Sequence, residues 1–221
     1  MGKIMYHPTL EELKKLKTQG NLAPIYREIN ADLETPVSAY LKIARGDYSF
    51  LLESVEGGER LARYSFIGTE PAKVIKTGEN IILKTPTNLP LRKGEVIKDF
   101  SLNTQNDNFP DPLTLIEEEF KKYRSVQIEG LPRFHGGMVG YLSYETAQHF
   151  ERLPSPENDP VQLPESILML AETLLIFDHI THKIKAVSHV KMDGDIEQSY
   201  KEATQKIDEL AARLNQPLTA E

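Results

Sequence analysis

Phe50-Leu51-Leu52-Glu53-Ser54-Val55-Glu56-Gly57-Gly58-Glu59-Arg60-Leu61-Ala62-Arg63-Tyr64-Ser65-Phe66-Ile67-Gly68 reads as a strand, a glycine turn and a return strand. Tyr48 to Leu52 is apolar and β-compatible. Gly57-Gly58 accepts positive φ and reverses the chain, and Tyr64 to Ile67 runs back. The first strand stops at a carboxylate and a hydroxyl, Glu53-Ser54, with Arg60 and Arg63 across the turn. An anion, a hydroxyl and two cations beside apolar side chains suit a small ligand bearing an ammonium, a carboxylate and an apolar body. The same residues also fit a solvated strand end, where Arg–Glu pairs contribute little.

Outward from this hairpin, the chain alternates short strands with a few helices. Thr9-Leu10-Glu11-Glu12 is a capping-box pattern, followed by Leu13 and Leu16 at helical spacing. Leu22 to Ile29 reads as a strand, with Pro24 favouring an edge or a strand start. Thr35-Pro36 opens a helix whose expected apolar face is Val37, Tyr40, Leu41 and Ala44. Ala72–Thr77 and Asn80–Lys84 form a hairpin about Gly78-Glu79. Residues 85–110 read as a long polar loop with one short strand near Val96. Asp111-Pro112 starts a helix with an expected stripe of Leu113, Ile116, Phe120 and Tyr123, and with cations at its C-terminal end.

Phe134 to Tyr144 is a glycine-rich strand leading into a short helix over 145–150, then a proline-rich loop over 153–164. The run Ile167 to Phe177 is almost wholly apolar and predicts one strand buried on both faces. Lys183 to Val190 alternates, which predicts a strand with one wet face. Asp193-Gly194-Asp195 turns into a last helix with the stripe Ile196, Tyr200, Ala203, Ile207, Leu210 and Leu214. Hairpins separated by helices indicate an α+β class with a largely antiparallel sheet and flanking helices. The length fits a single domain over residues 1–221.

Composition narrows the function. The chain is 39% hydrophobic and 27% charged, as expected for a soluble globular protein, and its net charge of −7 argues against a non-specific nucleic-acid binder. No cysteine is present, which excludes disulfides, thiolate metal sites and a cysteine nucleophile, and fits a reducing cytoplasm. The N-terminal residues lack the apolar run of a signal peptide, and no stretch is long enough to span a bilayer.

The motifs that could carry catalysis have plainer readings. Gly136-Gly137-Met138-Val139-Gly140 lacks the Lys-Ser/Thr of a phosphate loop, and no G-x-S-x-G elbow accompanies His135-Gly136-Gly137, so these glycines read as points of close backbone approach. His179 and His182 have a ligand-like spacing but span a turn with no carboxylate cluster, which makes a metal site improbable there. Glu117-Glu118-Glu119 lies beside Lys121 and Lys122 as a solvated face. No acid/base pair, nucleophile or metal cage emerges, so no catalytic or metal-binding residue is assigned.

Two strings, LLESVEGGERLARYSFIG from Leu51 and RFHGGMVGYLSYE from Arg133, resemble the N-terminal half of the anthranilate synthase large component, with the aminodeoxychorismate synthase large component as its sister. The resemblance extends from about Tyr6 to about Leu214. It implies a fold of two halves whose sheets pack around a cleft, of which this chain supplies the first. The family converts chorismate and ammonia to anthranilate and pyruvate in tryptophan biosynthesis, with a glutamine amidotransferase subunit as partner. Its Mg2+ and chorismate residues are expected in a C-terminal half beyond this chain, so the chain alone is expected to be inactive and to hold no cofactor. By the same resemblance the first half holds part of the tryptophan feedback site. The matching residues are Leu52, Glu53 and Ser54, with Arg63, Tyr64 and Ser65 across the turn. Glu53 would balance the effector ammonium, Ser54 would hydrogen-bond, Arg63 would meet the carboxylate and Leu52 would line the indole. Two alternatives stay open: the aminodeoxychorismate synthase counterpart, and a non-catalytic amino-acid-binding regulatory module.

Overall fold

In the computed structural model, residues 4–53, 63–77, 80–84, 100–103, 112–154, 161 and 163–218 are described. The elements run α1 (Leu10–Lys15), β1 (Leu22–Asn30), α2 (Pro36–Ile43), β2 (Ser49–Glu53), β3 (Tyr64–Thr69), β4 (Lys73–Thr77), β5 (Asn80–Lys84), β6 (Phe100–Asn103), α3 (Pro112–Lys121), β7 (Gly137–Leu142), a 3-10 helix (Tyr144–His149), β8 (Ser166–Ala171), β9 (Thr173–Asp178), β10 (Lys183–Lys191) and α4 (Ile196–Leu214). They form two compact units, neither a continuous stretch: Met1–Glu70 with Tyr123–Gly137 and Ala171–Glu221, and Pro71–Lys122 with Met138–Leu170. A single domain was expected from length, and no composition shift marks this division, because each unit is assembled from separated segments.

The first unit is built on a five-stranded sheet in the order β1-β10-β9-β3-β2, antiparallel throughout. Side chains alternate across its pleat, so each strand serves two faces. Ala23, Ile25, Ile67, Leu175, Phe177, Ile184, Ala186 and Val190 lie in the core that also holds Leu13 of α1, Ala39 and Ile43 of α2, and Ala203, Ile207, Leu210 and Leu214 of α4. On the opposite face Leu174, Ile176 and Val187 are covered by Tyr26, Tyr64, Phe66, Leu131 and Phe134. Each aliphatic side chain buried this way contributes about 1.5–3 kcal/mol. Asp195 caps α4 by accepting hydrogen bonds from the amides of Glu197 and Gln198, and Thr9 and Thr35 close capping boxes on α1 and α2.

The double covering corrects the expected wet face of β10. All its interior positions are buried, including Lys185, Ser188 and His189. The alternation is real in the sequence, but its polar members find partners. The Lys185 ammonium donates to the Gly130 carbonyl and lies 5.2 Å from the centre of the Tyr26 ring, and Ser188 shares a 3.0 Å hydrogen bond with Thr173. In α2 the buried residues are Ala39 and Ile43, whereas Val37 and Leu41 are exposed, so the expected face is rotated.

The second unit carries a sheet in the order β6-β5-β4-β8-β7. The expected hairpin of β4 and β5 is present, with Val74 opposite Lys84. The strand expected near Val96 lies outside the described residues, while Phe100–Asn103 extends the sheet beyond β5. In α3 it is Glu119 that is buried, paired with Lys73 and with Lys122 at 2.6 Å, and Leu113 and Phe120 stay partly exposed. The apolar run 167–177 is divided: β8 belongs to this sheet and β9 to the other, with the break at Glu172.

Candidate functional site

Two polar clusters sit where β2, β3 and the far end of β9 come together. In the antiparallel register Glu53 faces Ser65, which in turn faces Phe177, and Leu52 faces Phe66. Directly opposed residues share a face of the sheet, so Glu53 and Ser65 lie together and Leu52 points the other way. Leu52 is 43% exposed, an apolar side chain presented to solvent at an edge strand.

The first cluster centres on Ser65, which is buried. Its hydroxyl stands 2.7 Å from Nε2 of His179 and 3.5 Å from Oε1 of Glu53. The imidazole is stacked on Phe177, with ring centres 6.5 Å apart. The second cluster centres on Asp178. The Arg63 guanidinium grips its carboxylate with two donors, Nε at 3.1 Å and Nη2 at 2.7 Å, and lies 4.8 Å from the centre of the Tyr64 ring. The backbone amides of Ile180 and Thr181 donate to the same carboxylate at 3.1 and 3.4 Å. Burial alone would raise the Asp178 carboxyl, but Arg63 and these amides outweigh it and bring it down to about 2. The Arg63 side chain remains 39% exposed.

The expected site residues therefore divide. Glu53 and Ser65 gather beside His179, Arg63 and Tyr64 gather about Asp178, and Leu52 stands on the face opposite Glu53. Ser54, the glycine turn and Arg60 lie outside the described residues. Asp178 and His179 were missed as partners of this hairpin, although His179 was weighed as a metal ligand. The signal was present: β9, like β2, ends an apolar run on polar residues, Phe177-Asp178-His179 against Leu52-Glu53. Only the pairing of β3 with β9 shows that the two ends meet.

A second histidine pair lies in the same unit, with both rings buried. The Glu172 carbonyl only accepts, so Nδ1 of His189 carries a proton and donates to it at 2.9 Å. His189 Nε2 is then the acceptor for Nδ1–H of His135 at 3.2 Å. Burial pushes His189 down to about 4 and lowers His135 as well. A side chain at Gly136 would run into the His189 ring, and one at Gly140 into the Ile167 carbonyl, so both glycines sit where another group approaches closely. Among the described residues no group of three or more His, Asp or Glu side chains could hold a metal ion, so they supply no cage for the magnesium the resemblance implies. Among them, too, no helix is long and apolar enough to cross a membrane.

Comparison with known proteins adds the family. A profile described as chorismate binding enzyme matches residues 66–221. Anthranilate synthase component 1 of Acetivibrio thermocellus is 35% identical over 203 residues, 92% of this chain and 38% of that protein. Its counterparts in Synechocystis sp. and Pseudomonas aeruginosa are 35% and 34% identical over 98% and 95% of the chain, and 41% and 40% of their own lengths. The chain thus spans about two fifths of the length of the curated relatives it matches. In fold it is similar to the crystal structure of anthranilate synthase component I from Streptococcus pneumoniae, with a TM-score of 0.52 at 22% identity over 86% of this chain and 37% of that one. With the profile covering most of its residues, the chain belongs to the chorismate binding enzyme family.

Proposed function

We propose that this chain is the N-terminal, regulatory half of an anthranilate synthase component 1. The complete protein would convert chorismate and ammonia to anthranilate and pyruvate in the cytoplasm, with a glutamine amidotransferase subunit supplying the ammonia. The observation that carries this reading is identity of about a third, along nearly the whole chain, to proteins of that name. In this reading the chorismate and Mg2+ residues belong to polypeptide beyond Glu221, and the chain alone does not turn over chorismate.

The hairpin end is then the part of the tryptophan feedback site that this half contributes. Glu53, exposed at the strand end, meets the effector ammonium. Ser65, one hydrogen bond away, holds that carboxylate in place. Arg63 is available to the effector carboxylate only while sharing its charge with Asp178, which makes it a weaker partner than a free guanidinium. Leu52, exposed on the opposite face of β2, stands apart from the Glu53 cluster and lines the effector only if the ligand reaches around the strand end. Feedback is then a coupling free energy between this end and the chorismate cleft. A bulky group at Ser54 removes the effector's place without touching the chemistry. In the complete enzyme, Ser54→Phe is expected to raise the tryptophan concentration for half-inhibition at least tenfold while turnover stays within about twofold. Steady-state assays with and without tryptophan read this directly, and unchanged inhibition rejects the assignment. Calorimetry on the 221-residue chain addresses the regulatory-module alternative: micromolar tryptophan binding without a partner would favour it.

A further inference from the structure

We infer that the sheet face carrying Leu52 seats the ring and the carboxylate of an aromatic carboxylic acid. The outer edge of the Arg63 guanidinium is the carboxylate's two-donor partner, and Asp178 is the positioning residue behind it. Arg63 and Leu52 enter as residues of the effector site proposed above, so this assignment rests on that reading and adds the class of ligand the site takes. A guanidinium has two planar edges that can each hold a carboxylate: Nε–H with one Nη2–H, and Nη1–H with the other Nη2–H. In Arg63 the first edge is taken by Asp178, with Nε at 3.1 Å and Nη2 at 2.7 Å. Among the described residues nothing accepts from Nη1, and the side chain is 39% exposed. The guanidinium plane is held in place: Asp178 accepts from the amides of Ile180 and Thr181, and the Tyr64 ring centre lies 4.8 Å from the guanidinium.

The strand order gives the rest of the seat. β3 lies between β9 and β2. Tyr64 is opposite Asp178 on β9, and Phe66 is opposite Leu52 on β2, so these four residues share one face. With its inner edge on the β9 side, the guanidinium turns its outer edge away from Asp178, over a face that continues through Phe66 to Leu52. The Tyr64 and Phe66 ring centres are 6.2 Å apart, and Phe134 stands edge-on to Phe66 at 5.0 Å. Leu52 is exposed, and Phe66 and Phe134 are only partly buried, so an apolar and aromatic ledge lies beside a cation. Two residues along a strand cover about 7 Å, the reach of an aromatic ring on a short acid side chain. Glu53 and Ser65 lie on the other face, so nothing in this seat requires the ligand to carry an ammonium group.

The test uses the 221-residue chain and three probes: L-tryptophan, indole-3-propionate, which lacks the ammonium, and tryptamine, which lacks the carboxylate. In NMR titrations carried into the millimolar range, indole-3-propionate is expected to bind about tenfold tighter than tryptamine, the preference of a two-donor, charge-assisted contact. It is expected to stay within about fivefold of L-tryptophan, because an ammonium reaching round the strand end to exposed Glu53 adds little. Shifts are expected at Leu52, Phe66 and the Arg63 side-chain N–H groups. Arg63→Lys keeps a charge for Asp178 but has no planar fork, and is expected to cut the preference over tryptamine to less than about threefold. Leu52→Ala, at an exposed position, is expected to weaken all three probes about threefold through lost ring contact. Spectra recorded before ligand is added verify that each variant is folded. Tryptamine binding as tightly as indole-3-propionate, while L-tryptophan binds, overturns the assignment and leaves the effector reading standing on Glu53. An unchanged preference in Arg63→Lys overturns it likewise, as do shifts confined to Ser65 and His179. No shift with any of the three probes overturns the effector reading and this assignment together, so the two failures are distinguishable.

Discussion

Several donors converge on the Asp178 carboxylate: two from the Arg63 guanidinium, the amides of Ile180 and Thr181, and the Thr181 side chain. The carboxylate is almost wholly buried, so removing it strands backbone donors, and removing Arg63 strands a buried charge. Asp178→Ala is expected to cost about 2 kcal/mol of stability, and Asp178→Asn roughly half as much, because the amide oxygen still accepts from the two backbone groups. Arg63→Ala should destabilise more than Asp178→Asn. Denaturant midpoints of the three variants check the order. The same residue shows what the sequence hides: the resemblance gives Arg63 to a ligand carboxylate, and the acids of its own hairpin, Glu53, Glu56 and Glu59, do not point to Asp178. Its partner lies 115 residues away in the chain.

Elements were legible where their signals are local. The α4 stripe, its Asp195 cap, the capping box of α1, the Thr35-Pro36 start of α2 and the β4–β5 hairpin follow from spacing, cap chemistry and turn residues. Elements were misread where the deciding partner is distant. Ile167 to Phe177 holds no glycine or proline to mark a break, yet Glu172 divides it because its carbonyl is claimed by His189 and its side chain lies near Lys206 at 4.0 Å. The β10 alternation gave the wrong exposure because Lys185 is buried against Tyr26 and Gly130, neither visible from the strand itself. The glycine-rich strand was read as a place of close approach, and Gly140 shows the cause: a Cβ there would overlap the backbone of Ile167. Because the obstacle is backbone and cannot rotate away, Gly140→Ala is expected to cost about 1–3 kcal/mol, measured by thermal or urea unfolding.

For the whole molecule, stability should fall in two acid steps. The fold holds His189 at about 4 against an ordinary 6.5, so it favours the neutral ring. That contribution is complete above pH 6.5 and is lost as pH falls toward 4, amounting to on the order of 3 kcal/mol over the window. Asp178, held at about 2 against an ordinary 3.8, contributes above 3.8 and loses its contribution as pH falls through 2. Urea midpoints measured from about pH 7 to about pH 4.5 should decline in the parent chain and much less in His189→Gln. The sequence pI of about 5.5 lies inside the first window, so low net charge and weakened folding coincide there and aggregation should be greatest.

The pairing of β1 with β10, with Leu22 opposite Lys191, also sets an order of events during synthesis. A ribosome releases residues in sequence, so most of β1 must wait for its ladder partner until β10 has emerged, roughly eight seconds or more at about 20 residues per second. Through that interval Ala23, Pro24 and Ile25 present an apolar ribbon with no neighbour to hydrogen-bond. Nascent chains of this protein should therefore depend on holdase chaperones more than a helical protein of equal length would, and swapping the order of the two strands by circular permutation should relieve that dependence.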